Sequence, residues 1–122
     1  MLAEPAEGFD PTFPGLFAAD PPDDVIEVLD AIAADVRRGS LRVAIAEMAE
    51  ADLTEVLPTI AVPTLLLWGE HDARSPLSVA HAFARAIPHA ELAIIPDAGH
   101  MSHLERPAEF NAAVRAFCRP LV

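Results

Sequence analysis

Val62-Pro63-Thr64-Leu65-Leu66-Leu67-Trp68-Gly69-Glu70-His71-Asp72 is the stretch on which the organisation of this chain turns. Its first part is a continuous apolar run closed by a glycine, with no polar alternation. That pattern belongs to a parallel strand covered on both faces. Downstream, Pro76 to Ile87 places Leu77, Val79, Ala80, Phe83, Ala84 and Ile87 at helical spacing, and Pro88-His89 breaks the repeat. Glu91-Leu92-Ala93-Ile94-Ile95-Pro96 reads as a second short apolar strand. Pro107 to Arg119 reads as a last helix packing Phe110, Val114 and Phe117. The order strand–helix–strand–helix predicts an α/β fold with two parallel strands joined by a right-handed crossover.

Upstream the character is different. Residues 1 to 21 hold Pro5, Pro11, Pro14 and Pro21, with Phe9, Phe13 and Phe17 between them, which predicts a docked irregular segment. Asp20-Pro21-Pro22-Asp23-Asp24 is a helix start. Val25, Ile26, Val28, Leu29, Ile32, Ala33 and Val36 follow at helical spacing, and Arg37-Arg38-Gly39 is expected to close that helix. Ser40 is expected to cap a second helix, and Asp52 to Leu57 to form a short turn ended by Pro58. The chain therefore divides into a helical segment, 1–58, and a β-α-β-α segment, 59–122.

Both strands run out into polar loops. One is Glu70-His71-Asp72-Ala73-Arg74-Ser75-Pro76, and the other runs from Asp97 through Gly99-His100 to Glu105-Arg106-Pro107. Open α/β sheets place their ligands beyond the carboxyl ends of parallel strands. Neighbouring strands lie about 5 Å apart, so Asp72 and His100 are expected to meet there. A carboxylate beside an imidazole fixes the tautomer of the ring and stabilises the imidazolium formed when it takes a proton. Asp72 equally suits capping the helix near Pro76, and residue type alone does not separate the two roles. Gly99 suggests a tight turn that aims His100.

Val62 to Asp72, together with Ala98-Gly99-His100 and Glu105-Arg106-Pro107, resembles the acid loop and histidine loop of the α/β-hydrolase fold family. The likeness covers residues 53 to 119. Residues 1 to 52 are similar, more weakly, to the helical cap such enzymes carry. The resemblance implies a partial α/β-hydrolase fold in which Asp72 is the triad acid and His100 the general base. It also implies hydrolysis of a small ester, lactone or related bond, with no cofactor and no metal. A G-x-S-x-G nucleophile elbow belongs to that family. The serines here are Ser40, Ser75, Ser78 and Ser102, and none sits in an elbow. The chain alone is accordingly expected not to catalyse. The rival expectation is a non-catalytic piece that pairs with itself or with a complementary N-terminal half, through the open edge of its Leu-rich strand.

Other polar residues have plainer readings. His71, His81, His89 and His103 match no zinc spacing. Glu105 could contribute to the site, but a first-turn acid ahead of Pro107 has a sufficient structural reason at the start of the last helix. Trp68 and Met101 flank the site and are candidates to line a pocket, with core packing the stronger expectation for Trp68, and Arg74 fits either an anionic substrate or a surface pair. Nineteen acidic residues against eight basic ones give a net charge of −11, which repels phosphate backbones and makes nucleic acid a poor partner. The single Cys118 cannot form an internal disulfide. The start, Met1-Leu2-Ala3-Glu4-Pro5, lacks the marks of a signal peptide, and no apolar stretch reaches membrane-spanning length. A cytoplasmic location with no membrane association is expected.

Overall fold

A computed structural model of the chain describes residues 15–35 and 38–121. These fall into two units, one within Pro21–Leu53 and the other joining 15–20 to the stretch from Thr54 onward.

The first unit consists of helices α1 (Asp23–Asp35) and α2 (Arg38–Glu50). Pro22 opens α1 by offering its carbonyl to the amides of Val25 and Ile26, and Asp23 and Asp24 place acids at the positive end of the helix dipole. Leu29 is buried and Val25 and Ile26 are half-buried, whereas Val28 and Ile32 are exposed. Only part of the apolar repeat is therefore covered. The boundary between the helices also differs from expectation. Gly39 and Ser40 lie inside the first turn of α2, so they neither close α1 nor cap its successor. Glycine is tolerated in a first turn, whose amides have no intrahelical partner in any case. Val36 and Arg37 lie outside the described residues, as do Phe9 and Phe13.

In the second unit Leu57–Thr59 form a 3₁₀ turn, with Pro58 inside it rather than ending it. Proline fits there because a first-turn position needs no amide hydrogen. Strand β1 (Thr64–Gly69), helix α3 (Leu77–Ala86), strand β2 (Ala90–Ile95), a short helix α4 (Ser102–Glu105) and helix α5 (Pro107–Cys118) follow. The two strands pair in parallel, from Thr64 opposite Ala90 to Gly69 opposite Ile95, and α3 makes the connection. β1 starts two residues later than the apolar run, past Pro63, which has no amide to give the ladder. β2 starts one residue earlier, after a turn in which His89 takes a left-handed φ of 61°.

Helices α3 and α5 each lie against both strands. Ala80 and Ile87 are the buried residues of the α3 stripe and its end. Val79, expected in that stripe, sits on its flank and is 37% exposed. The indole of Trp68 packs at 6.1 Å from the ring of Phe83, which sets the even-numbered face of β1 against α3. Leu65, Leu66 and Leu67 are only half-buried, and among the described residues β1 pairs with β2 alone.

Replacing Phe83 by Ala should cost about 1–3 kcal/mol, less than a fully buried Phe because the ring is half-exposed. The same variant should shift the emission of Trp68, the sole tryptophan, to the red. Denaturant titration followed by fluorescence reads both, and an unchanged midpoint would refute this packing.

Candidate active site

Because Gly69 and Ile95 are register partners, both loops leave the sheet at the same end. The backbone carries the pairing into them. Glu70 N donates to Ile95 O at 2.9 Å, and His71 N donates to Ala98 O at 2.8 Å. This approach depends on two missing side chains. A Cβ on Gly69 would strike the carbonyl oxygens of Ala98 and Gly99. A Cβ on Gly99 would sit 2.6 Å from Ala18 N and 2.7 Å from the carbonyl carbon of Phe17. The expectation that Gly99 makes the tight turn is thus corrected. The left-handed residue of this loop is Asp97, at φ 51°, and Gly99 is required by the closeness of the neighbouring backbone.

Asp72 is buried, and its two oxygens have different partners. Oδ1 accepts the amides of Arg74 at 2.9 Å and Ser75 at 2.8 Å, bending the loop toward α3. Oδ2 lies 2.9 Å from Nδ1 of His100. Of the two roles weighed for this residue, the pairing with His100 is present, whereas the capping of α3 is not: α3 begins after Pro76 with no side-chain cap, and Oδ1 of Asp72 instead closes a turn within the loop. Trp68 adds a hydrogen bond from Nε1 to Ser75 O at 2.6 Å, so it holds the acid loop as well as packing the core.

The imidazole of His100 is 40% exposed, against 6% for the Asp72 side chain. An ionised carboxylate can only accept, so in the neutral ring Nδ1 carries the proton and Nε2 keeps its lone pair. The ring is oriented by a buried acid and reachable from solvent, the arrangement a general base needs.

Glu105 departs from its expected place. It ends α4 instead of opening α5, and its carboxylate takes two backbone amides, Gly99 N and Ala18 N, each at 2.6 Å. Sequence reasoning allowed Glu105 a part in the site but not this hold on two backbone amides. The only signal for it was a carboxylate five residues beyond the histidine. Arg106 beside it binds Asp97, with Nη2 3.1 Å from Oδ2. Met101 N donates to Leu16 O at 3.0 Å.

Among the described residues, Glu70, His71 and Asp97 bring one donor atom each to within 4.8 Å of one another. All three are exposed, and Glu70 and Asp97 already serve as partners of Asp97 N and Arg106. None of His81, His89 and His103 joins that group. His103 instead lies 5.8 Å from the ring of Phe110. No helix among the described residues is long and apolar enough to cross a membrane.

In Asp72→Asn the amide side chain can present a donor to the ring, which favours the opposite tautomer. NMR of the unmodified chain should show a His100 Nδ1 proton, and in the variant that proton should be lost at neutral pH, with the ring protonated on Nε2. Retention of that proton in the variant would refute the pairing.

Comparisons with known proteins show which family this chain falls in. A sequence model described as the alpha/beta hydrolase family matches residues 2–113. The chain is 37% identical over 83 residues to a pimeloyl-[acyl-carrier protein] methyl ester esterase of Vibrio atlanticus, a match covering 68% of this chain and 30% of that protein. It is 29% identical over 97 residues to 3-oxoadipate enol-lactonase 2 of Acinetobacter baylyi, covering 77% and 36%. Among solved structures, a thermophilic esterase from Thermogutta terrifontis superposes with a TM-score of 0.72 at 37% identity, over 80% of this chain and 36% of that one. A bromoperoxidase from Bacillus anthracis superposes with a TM-score of 0.77 at 26% identity, over 86% and 40%. The chain thus spans about a third of the length of these proteins. By the match over residues 2–113, the chain belongs to the alpha/beta hydrolase family.

Proposed function

We propose that this chain supplies the acid, Asp72, and the general base, His100, of a hydrolytic triad whose nucleophile lies outside these 122 residues. The observation that carries the proposal is the 2.9 Å contact between Asp72 Oδ2 and His100 Nδ1, at the carboxyl ends of two paired parallel strands. In the reaction, Nε2 of His100 takes the proton of a serine hydroxyl as it attacks the substrate carbonyl, and Asp72 stabilises the resulting imidazolium. The proton then passes to the leaving alcohol, and water repeats the cycle to release the acid. The substrate class proposed is a small ester or lactone, supported by the esterase and lactonase among the relatives. Residues 1–58 act as the cap that shapes substrate choice and residues 59–122 as part of the catalytic core. The setting is taken as cytoplasmic, in keeping with a single cysteine.

The chain alone should hydrolyse p-nitrophenyl acetate no faster than its His100→Ala variant. Co-expressed with a nucleophile-bearing α/β-hydrolase core segment, it should gain a rate that falls about 10⁴-fold or more in His100→Ala, the scale of losing one triad member. A strong His100-dependent rate from the chain alone would refute the external nucleophile. A rate indifferent to His100 in the assembled protein would refute the general base.

A second reading, a non-catalytic piece that pairs with itself or a complementary chain, is favoured by the half-buried leucines of β1 and by the exposure of Val62 (64%) and Ile94 (42%). An unpaired strand edge presents amides and carbonyls that only another strand satisfies well. Sedimentation of the isolated chain should show a dimer or larger species, or a monomer that binds a hydrophobic dye. A dye-negative, cooperatively melting monomer would refute it.

A further inference from the structure

We infer that Glu105 is a positioning residue that holds the backbone on the N-terminal side of His100, while Leu16 holds it on the other side. The inference rests on the reading of His100 as a base, and extends it to what keeps the imidazole aimed at Asp72.

The loop carrying His100 has no regular structure between Ile95 and Ser102, so nothing in a helix or strand fixes the ring. Its two neighbouring amides are nevertheless both engaged. Gly99 N donates to Glu105 Oε2 at 2.6 Å, and Met101 N donates to Leu16 O at 3.0 Å. Glu105 Oε1 reaches across to Ala18 N, also at 2.6 Å. One carboxylate therefore ties the histidine loop to the 16–18 segment, and that segment returns a carbonyl to the far side of the same histidine. Hydrogen bonds from an amide to a carboxylate are stronger than those to a neutral acceptor. Gly99 is buried and Glu105 half-buried, so water competes poorly for the bond between them, whereas the bond to Ala18 N is exposed. Arg106, next in sequence, pins the start of the loop through Asp97. Glu105 and Arg106 together draw in the loop at two points, and His100 follows the backbone to which it is attached.

The test uses NMR of the whole chain as Glu105→Gln, Glu105→Asp and Glu105→Ala. Glutamine keeps one acceptor oxygen of two, aspartate keeps the charge on a shorter stem, and alanine removes both acceptors. Amide exchange at Gly99 and Ala18 should accelerate about ten-fold or more in Glu105→Ala, the scale of losing a hydrogen bond to a charged group. Glu105→Gln and Glu105→Asp should lose protection at one of those two amides. In each variant the His100 Nδ1 proton should broaden or vanish, while Trp68 emission and the amides of the β1–β2 ladder keep their unmodified behaviour. A purely structural role predicts the reverse, with ladder protection and melting lost in step and the His100 proton intact in the folded fraction. That outcome, or an unchanged His100 proton in any folded variant, overturns the inference. If Glu105→Ala does not fold, the Gln and Asp variants decide by the same criteria. An unmodified chain with a protected Gly99 amide but no His100 Nδ1 proton would sink the Asp72–His100 pair and this inference together. A Glu105 effect on the His100 proton, where the chain co-expressed with a nucleophile-bearing segment shows no His100-dependent ester hydrolysis, would leave the inference standing and sink only the hydrolytic role.

Discussion

Three stretches of backbone lie directly on one another at the carboxyl end of the sheet: the end of β1 at Gly69, the histidine loop at Ala98-Gly99, and the segment at Phe17-Ala18. Two absent side chains make this stack possible. Any Cβ at Gly69 would push the histidine loop away from β1, and any Cβ at Gly99 would push the 17–18 segment away from the loop. With the layers in contact, backbone amides find carbonyls across them, as His71 does with Ala98 and Met101 with Leu16. The separation of Asp72 and His100 follows from this stacking. The two side chains leave layers whose spacing is set by main-chain contact, which is far stiffer than side-chain packing.

Within that frame the charged groups are accounted for one by one. A buried carboxylate is costly unless donors surround it. Asp72 has two amides on one oxygen and the imidazole on the other, so neither oxygen is left bare. Glu105 repeats the arrangement with amides alone. The two acids differ in what they serve. Asp72 holds a ring through its side chain, whereas Glu105 holds the chain that bears the ring. Trp68 belongs to the same economy, since its indole covers the α3 face of the sheet while Nε1 holds the carbonyl of Ser75 in the acid loop.

The β-α-β-α order was legible because burial enforces it. A run such as Thr64 to Gly69 has no polar face to show to water, so it belongs inside a parallel sheet, and Pro88 and the left-handed His89 leave α3 nowhere to continue. Boundaries in the helical segment were less legible. Gly39 and Ser40 carry the residue types of a helix end and a helix cap, yet both lie within α2. Their local preferences are worth about 1 kcal/mol or less, too little to fix a helix boundary by themselves. Val79, expected in the buried stripe of α3, is exposed on its flank, and Val28 and Ile32 of the α1 repeat are exposed as well. Helical spacing shows which residues share a face, but not how wide a strip of that face its neighbours cover.

Residue order alone determined the strands, the polarity of their loops, and the presence of an acid and a histidine at the same end of two neighbouring strands. Each of these follows from a local pattern, because hydrophobic period and chain reversal are properties of a few consecutive residues. The tertiary structure decided which oxygen of Asp72 serves His100, why position 99 must be glycine, and what Glu105 does. Those outcomes involve partners 28 residues apart in one case and 87 in another. No local preference encodes such a pair, since it exists only once the sheet register and the stacked backbones have brought the groups within hydrogen-bonding distance.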